Sequence, residues 1–158
     1  MEKALKSTLP SGRFSKVEAA RSRIMRAIPS RGARSTERAF SMALARGGIG
    51  GWRIHPAGLP AKPDFYFPDA KLAIFVDGCF WHGCPRCGHV PARNHPFWSL
   101  KLALNKVRDR RDNSRLRQAG IKVIRIWEHE LSSSGRQARL RRILKVLRMP
   151  PQPDRAAG

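Results

Sequence analysis

Cysteine is scarce in this chain. Among its 158 residues there are three cysteines, and Cys79, Cys84 and Cys87 all lie within one stretch of nine positions. An odd number of clustered thiols does not fit the disulfide framework of a small secreted domain. Clustered thiols instead indicate a metal site or a catalytic site.

Long apolar runs are also missing. The longest runs from Leu72 to Val76, which is far too short to span a bilayer. The first residues, Met1 to Ser15, mix charges with proline and glycine and have no apolar core of the kind found in secretory signals. The sequence therefore predicts a cytoplasmic protein with no membrane partner.

Acidic residues are few as well. There are 11 Asp plus Glu against 32 Lys plus Arg, which gives a formal net charge of +21. A strongly basic surface binds polyanions by releasing their counterions. No basic amphipathic segment with a bulky apolar face stands out, so the charge favours nucleic acid over an acidic membrane surface.

The apolar content and its spacing predict one α/β domain. Hydrophobic residues make up 41% of the chain, enough for a packed core. Helical spacing predicts helices over 17–28, from Ser35 to Gly47, over 97–119 and over 136–147. Strands are predicted over 51–55, 64–67, 71–76 and 121–127. We expect a disordered arm at 1–14, a domain at 15–149 with a mixed sheet between helices, and a disordered tail at 150–158.

The cysteines fall in a loop over 77–96 that is long for a structureless connection. Thiolates and imidazole suit tetrahedral Zn²⁺, and a fourth ligand is needed beside the three cysteines. His129, at the end of the last predicted strand, is the preferred fourth ligand, and His89 is the rival. The alternative is three buried free thiols. A closed shell of four ligands predicts a structural zinc rather than a catalytic one.

A few acids and one histidine stand out in an otherwise basic protein. Asp64 begins a predicted strand, Asp77 ends the next one, and His82 follows five residues later. Phosphodiester cleavage needs a hard divalent cation held by oxygen ligands and a group that handles a proton. From spacing alone, a solvated surface aspartate remains an equal alternative.

Short motifs of distinctive composition are spread along the chain. CFWHGC occupies 79–84, PDF precedes it at 63–65, and WEHE follows at 127–130. RSRIMRAI at 21–28, FW at 97–98, and Asn105 with RDRRD at 108–112 complete the set. In their order, over about residues 15–148, these motifs resemble the very short patch repair (Vsr) family of DNA mismatch endonucleases.

The resemblance implies a fold similar to that of type II restriction endonucleases, a central mixed sheet with flanking helices, here with a zinc-stapled loop. It implies a Mg²⁺-dependent endonuclease that nicks DNA 5′ of the thymine in a T:G mismatch, which arises when 5-methylcytosine deaminates. The implied partner is double-stranded DNA bound by a monomer. Mismatch repair proteins are further candidate partners.

The resemblance also implies roles for single residues. Asp64 becomes the main magnesium-binding carboxylate, and the backbone carbonyl of Val76 becomes a second contact. His82 matches the family's catalytic histidine, and Glu37 matches the acid that supports it. The family's zinc positions fall on Cys79, Cys84, Cys87 and His129.

One departure concerns the end of the strand predicted over 71–76. The wider nuclease superfamily has an acid, one spacer and a lysine there, whereas this chain has Asp77-Gly78-Cys79. The Vsr group shares the loss of the lysine and relies on the histidine. Asp77 is then either an extra metal contact or an acid that merely ends the strand.

Aromatic and basic residues supply the expected DNA contacts. Large aromatics usually pack in cores, as we expect for Trp52 and Trp127. In the family, however, the residues that match Phe80, Trp81 and Trp98 intercalate beside the mismatch. The arginines of the first predicted helix are expected to contact phosphates, with a solvated face as the alternative; they are Arg21, Arg23 and Arg26.

Two other functions remain open at this stage. The first is a zinc-stabilised DNA-binding module without catalysis, in which Asp64 and His82 are incidental. The second is a nuclease of the same fold that acts on unmethylated or foreign DNA.

Overall fold

The computed structural model describes residues 34–131 and 133–148. The predicted arm at 1–14, the predicted helix over 17–28 and the predicted tail at 150–158 lie outside the described residues. The three arginines expected to contact phosphates, Arg21, Arg23 and Arg26, lie outside them too. Among the described residues, no helix is long and apolar enough to cross a membrane.

The centre of the molecule is a mixed sheet of four strands, as predicted. In chain order these are β1 (Arg53–Ile54), β2 (Phe65–Phe67), β3 (Leu72–Asp77) and β4 (Lys122–Trp127), and they lie side by side in that order. The pairs β1–β2 and β2–β3 are antiparallel, whereas β3 and β4 are parallel. Every residue of β3 is buried, which explains its continuous apolar sequence.

Within the described ranges, three helices flank the sheet: α1 (Arg34–Arg46), α2 (His95–Gln118) and α3 (Ser133–Leu147). A short 3₁₀ turn, Glu128–Leu131, connects β4 to α3. α2 ends before Gly120, whose φ of 71° is the left-handed conformation that terminates helices. α3 begins three residues earlier than predicted, because serine and glycine in its first turn add nothing to the apolar spacing.

Two apolar clusters cover the two faces of the sheet. Leu72, Ile74 and Val76 of β3 point into the larger cluster, together with residues of α1 and α3. Ala73 and Phe75 point the opposite way, into a smaller cluster with Leu116 of α2. The alternation places Asp77 on the α2 side of the sheet, at the carboxyl end of β3.

Candidate active site and metal centre

Asp64 is a buried carboxylate beside the sheet. It directly precedes β2, its exposure is 6%, and its Oδ2 accepts a hydrogen bond from the backbone N–H of Val76 at 2.7 Å. Burial raises the pKa of Asp64 to about 6, partly offset by the Val76 N–H and reinforced by the charges of Glu37 and Asp77. A nearby cation would therefore stabilise the ionised carboxylate of Asp64.

His82 lies in the loop after β3 and is held by an acid from α2. Its Nδ1 is 2.8 Å from Asp109 Oδ2 and 3.7 Å from Asp77 Oδ1. Because Asp109 is the acceptor at Nδ1, the Nε2 atom is left to exchange a proton with a bound substrate.

Arg125 of β4 connects the two acids near His82. Its guanidinium donates to both oxygens of Asp77, at 2.5 and 2.6 Å, and to Asp109 Oδ1 at 2.9 Å. Burial alone would lower the pKa of Arg125, but the bonds and charges of Asp77 and Asp109 raise it above its usual value. The arginine therefore stays charged.

These groups line one cavity at the carboxyl ends of β3 and β4. Its wall includes Asp64, Asp77, His82, Asp109 and Arg125, and basic side chains join them, namely Lys62, Lys101 and Arg108. Carboxylates, a histidine and cations around one opening can bind a divalent ion and a phosphate together.

Glu37 does not contact His82 in this structure. Its Oε2 lies 3.0 Å from the ring Nε2 of His55, and Asp109 takes the place beside His82 that the resemblance implied for Glu37. Glu37 instead influences Asp64, whose pKa its charge raises. His55 has a φ of 46°, a left-handed backbone conformation that is strained for a residue with a side chain.

The three cysteines and His129 form a compact cluster that could hold one metal ion. One ligand atom from each residue lies within 4.8 Å of the others. The His129 Nδ1 atom is 3.2, 3.6 and 3.4 Å from the thiols of Cys79, Cys84 and Cys87. A tetrahedral zinc with these ligands would separate them by about 3.6 to 3.8 Å. The donor set therefore fits Zn²⁺.

His89, the rival fourth ligand, lies elsewhere in the loop. Its ring packs 5.9 Å from the ring of Phe80. In the described part of the chain, the metal-ligating cluster contains His129 and not His89.

Burial and neighbouring groups shift the pKa values of Cys79 and Cys84 in opposite directions. Burial, together with the other two thiols, raises the pKa of Cys79 to about 12. Burial acts the same way on Cys84, but backbone hydrogen bonds from Cys87 and Arg86 outweigh it and lower the Cys84 pKa. Three neighbouring thiolates repel one another unless a metal ion offsets their charge.

Gly88 closes the cysteine loop because it has no side chain. A Cβ atom at this position would lie 2.5 Å from the carbonyl oxygen and 2.7 Å from the nitrogen of Cys84. The Gly88 N–H donates to that same carbonyl at 2.8 Å. The tight turn that brings Cys84 and Cys87 together thus requires glycine.

Aromatic side chains form a half-buried cluster next to the cysteine loop. The Phe80 ring packs edge-on against Trp81 at 5.0 Å and against Trp98 at 5.2 Å. Asn105 of α2 anchors the segment by donating to the carbonyl of Trp81 at 2.8 Å. Trp52, by contrast, packs against the larger core cluster, as predicted.

Comparisons with known proteins assign a family to this chain. The family model of the DNA mismatch endonuclease Vsr matches residues 15–87. The DNA mismatch endonuclease Vsr of Escherichia coli (strain K12) is 40% identical over 113 residues, which cover 70% of this chain and 70% of that protein. The chain belongs to the Vsr family. The restriction-endonuclease-like fold expected for Vsr proteins fits its mixed sheet and flanking helices.

Two nicking enzymes are also similar to this Vsr-family chain. The type II nicking enzyme V.XorIIP of Xanthomonas oryzae pv. oryzae (strain KACC10331 / KXO85) is 44% identical over 59% of this chain and 70% of its own length. The type II nicking enzyme V.NaeI of Lentzea aerocolonigenes is 51% identical over 46% of this chain. That match spans less than half of V.NaeI, 44% of its length.

Sequence reasoning gave no role to two residues of the cavity, Asp109 and Arg125. Asp109 lies within the RDRRD motif, where its charge looks like part of a solvated helix face. Arg125 carried a usable signal: it is a charged residue at the centre of a strong apolar strand, and such residues are paired when buried.

The raised pKa of Asp64 predicts the effect of Asp64→Asn on stability. The folded pKa of about 6 exceeds the usual value of 3.8. The contribution of Asp64 to the free energy of unfolding is therefore fully present below pH 3.8 and is lost as the pH rises through about 6. Without Mg²⁺, Asp64→Asn should be more stable than wild type by up to about 3 kcal/mol near pH 8.

Urea unfolding of the zinc-loaded, magnesium-free protein from about pH 5 to about pH 8 measures this difference. The advantage of Asp64→Asn should shrink toward the acid end. Asp69→Asn, an exposed aspartate in the turn between β2 and β3, is the matched control and should change little. A difference between Asp64→Asn and wild type that stays constant across the range would refute the burial argument.

The cysteine cluster predicts one zinc per chain. Elemental analysis should find one equivalent in wild type and much less in Cys84→Ala and Gly88→Ala, because the first loses a ligand and the second forces the loop open. Chelation should lower the unfolding temperature of wild type and unfold the loop. Gly50→Ala is the glycine control, since nothing lies within 4 Å of its Cβ position and its φ is not in the left-handed region. If wild-type protein without zinc were as stable as the untreated protein, the metal assignment would be wrong.

Proposed function

We propose that this protein is a Mg²⁺-dependent endonuclease that nicks one DNA strand 5′ of the thymine in a T:G mismatch, in very short patch repair. The observation that carries the proposal is the convergence of Asp64 and His82 on one cavity, in a chain of the Vsr family. A solvated aspartate, the bland alternative for Asp64, does not fit a carboxylate with 6% exposure.

The cation site of the proposal consists of Asp64 and the backbone carbonyl of Val76. The Asp64 carboxylate lies next to Val76, because its Oδ2 accepts the Val76 N–H, and its burial favours a compensating positive charge. When bound, Mg²⁺ would offset the negative charge of the phosphate. Glu37 adds a further negative charge near Asp64 to this cation site.

His82 handles the proton in this proposal. Asp109 accepts from Nδ1 at 2.8 Å and so orients the ring, with Nε2 directed away from that bond. Nε2 can then take a proton from the attacking water or pass one to the leaving oxygen. Lys62, Lys101 and Arg108 line the same cavity and would hold the scissile phosphate.

DNA binding rests on charge and on the aromatic cluster. The net charge of +21 supplies a phosphate-binding surface, to which we assign Arg21, Arg23 and Arg26. Phe80, Trp81 and Trp98 form one half-buried cluster beside the cavity-lining His82. Aromatic wedges insert at base steps that unstack easily, and a mismatch is such a step.

A duplex with one T:G mismatch, labelled on either strand, tests the activity. Wild-type protein with Mg²⁺ should nick the thymine strand, 5′ of the mispaired base, and should leave the T:A duplex uncut. Asp64→Asn should slow nicking by at least about 1,000-fold and His82→Ala by about 100- to 10,000-fold, while DNA affinity stays equal or rises. Affinity should rise for Asp64→Asn because a charge that repels phosphate is gone.

Two results would replace this proposal with another function. If wild-type protein binds the mismatched duplex but never cuts it, the chain is a zinc-stabilised DNA-binding module. If it cuts T:G and T:A duplexes equally, it is a nuclease without mismatch recognition.

The aromatic cluster generates its own prediction. Stacking of a base on an aromatic ring contributes about 1–3 kcal/mol, so Phe80→Ala and Trp81→Ala should each reduce the T:G over T:A preference in binding by about 5- to 150-fold. Val90→Ala is the control, because Val90 is an exposed apolar residue of the same loop. Competition binding with the two duplexes measures the preference. Unchanged discrimination in both aromatic variants would assign the cluster to packing alone.

A further inference from the structure

Arg125 occupies an unusual place for a charged residue. It lies in the middle of β4, opposite Phe75 of β3, and its side chain is 20% exposed. The guanidinium carbon sits 4.6 Å from the centre of the Phe75 ring, and Nη1 donates to Asn113 of α2 at 3.1 Å. The side chain is therefore fixed from the sheet and from the helix.

The guanidinium joins two acids into one network. Nε and Nη2 bind the two oxygens of Asp77, and Nη2 also reaches Asp109 Oδ1 at 2.9 Å. The other oxygen of Asp109 is the one that holds His82. Each oxygen of Asp109 thus has its own partner, and the carboxylate cannot rotate without breaking one of these bonds.

We propose that Arg125 is a positioning residue for the nicking reaction, which fixes Asp109 against His82 and keeps Asp77 away from the divalent cation. This inference rests on the proposed function. It assigns the open role of Asp77: the acid orients the arginine and does not bind magnesium.

The contacts of the two aspartates support this division of roles. Both oxygens of Asp77 are bonded to the guanidinium, so a cation at Asp77 would have to displace a positive charge or sit beside it. Asp64 differs, because within residues 34–131 and 133–148 its Oδ1 makes no hydrogen bond. Asp64 therefore offers the cation an oxygen that has no hydrogen bond, whereas both oxygens of Asp77 already face the positive charge of Arg125.

A simpler role for Arg125 would be to neutralise buried Asp77, and a double variant separates the two roles. Arg125→Met alone leaves Asp77 unpaired and should unfold more easily. Asp77→Asn/Arg125→Met removes that unpaired charge and should recover most of the thermal stability. If Arg125 positions Asp109, the single-turnover nicking rate of this double variant should stay at least about tenfold below wild type. Its duplex affinity should stay within about twofold of wild type.

Arg125→Lys is the conservative variant. It keeps the positive charge, but one ammonium group cannot bind both oxygens of Asp77 and reach Asp109 in the planar arrangement of a guanidinium. Its nicking rate should therefore remain at least about tenfold low. Asp77→Asn alone should keep the half-saturating Mg²⁺ concentration within about twofold of wild type.

A long-range ¹H–¹⁵N spectrum of the His82 ring gives a readout without activity. Zinc-loaded wild type should show one tautomer, protonated at Nδ1, and the double variant should show a mixture. If wild-type protein does not nick DNA but the two spectra differ in this way, the proposed function is wrong. The role of Arg125 in fixing Asp109 against His82 would still hold.

Three results would overturn the inference. The first is wild-type nicking by the stable double variant, and the second is wild-type nicking by Arg125→Lys; either would reduce Arg125 to charge compensation. The third is a rise of more than about tenfold in the half-saturating Mg²⁺ concentration of Asp77→Asn, which would put Asp77 on the cation.

Discussion

The parallel pairing of β3 with β4 is the constraint on which the other features depend. Parallel strands have their carboxyl ends at the same edge of a sheet, and the register pairs Asp77 with Trp127. The cysteine loop leaves that edge from β3, and His129 follows β4 there, so the metal-ligating cluster can close across the two strands. The same pairing brings Arg125 to Asp77, and α2 then completes the site with Asp109.

Charge explains why so few acids serve several purposes. The protein has 32 basic and 11 acidic residues, so a surface carboxylate would be surrounded by cations. Such a carboxylate would also repel the phosphates of DNA and so weaken DNA binding. Asp64 and Asp77 are instead buried and Asp109 is half-buried, each with a defined partner: Val76 for Asp64, Arg125 for Asp77, and His82 with Arg125 for Asp109. Burying Asp64 costs stability without a metal, which is the expected trade between a functional site and the fold.

Much of this architecture follows from the sequence alone. Apolar spacing predicted the described helices and strands, and the cysteine spacing together with the strand end at His129 predicted the Cys₃His cluster. The partner of His82 did not follow: the structure gives it Asp109 rather than Glu37. The acid that pairs with each histidine depends on how α2 packs against the sheet. The spacing of residues along the sequence does not predict that packing. The position of Arg125 hinted at a buried ion pair but not at its partners.

The central claim is that Asp64 and His82 act on one phosphate. A crystal structure of the protein with a T:G duplex and Ca²⁺, a hard divalent cation that takes oxygen ligands as Mg²⁺ does, would test it most directly. The account predicts a cation at Asp64, with the phosphate 5′ of the thymine between that cation and the His82 ring. A duplex bound on another face of the protein, with that phosphate far from both side chains, would contradict it.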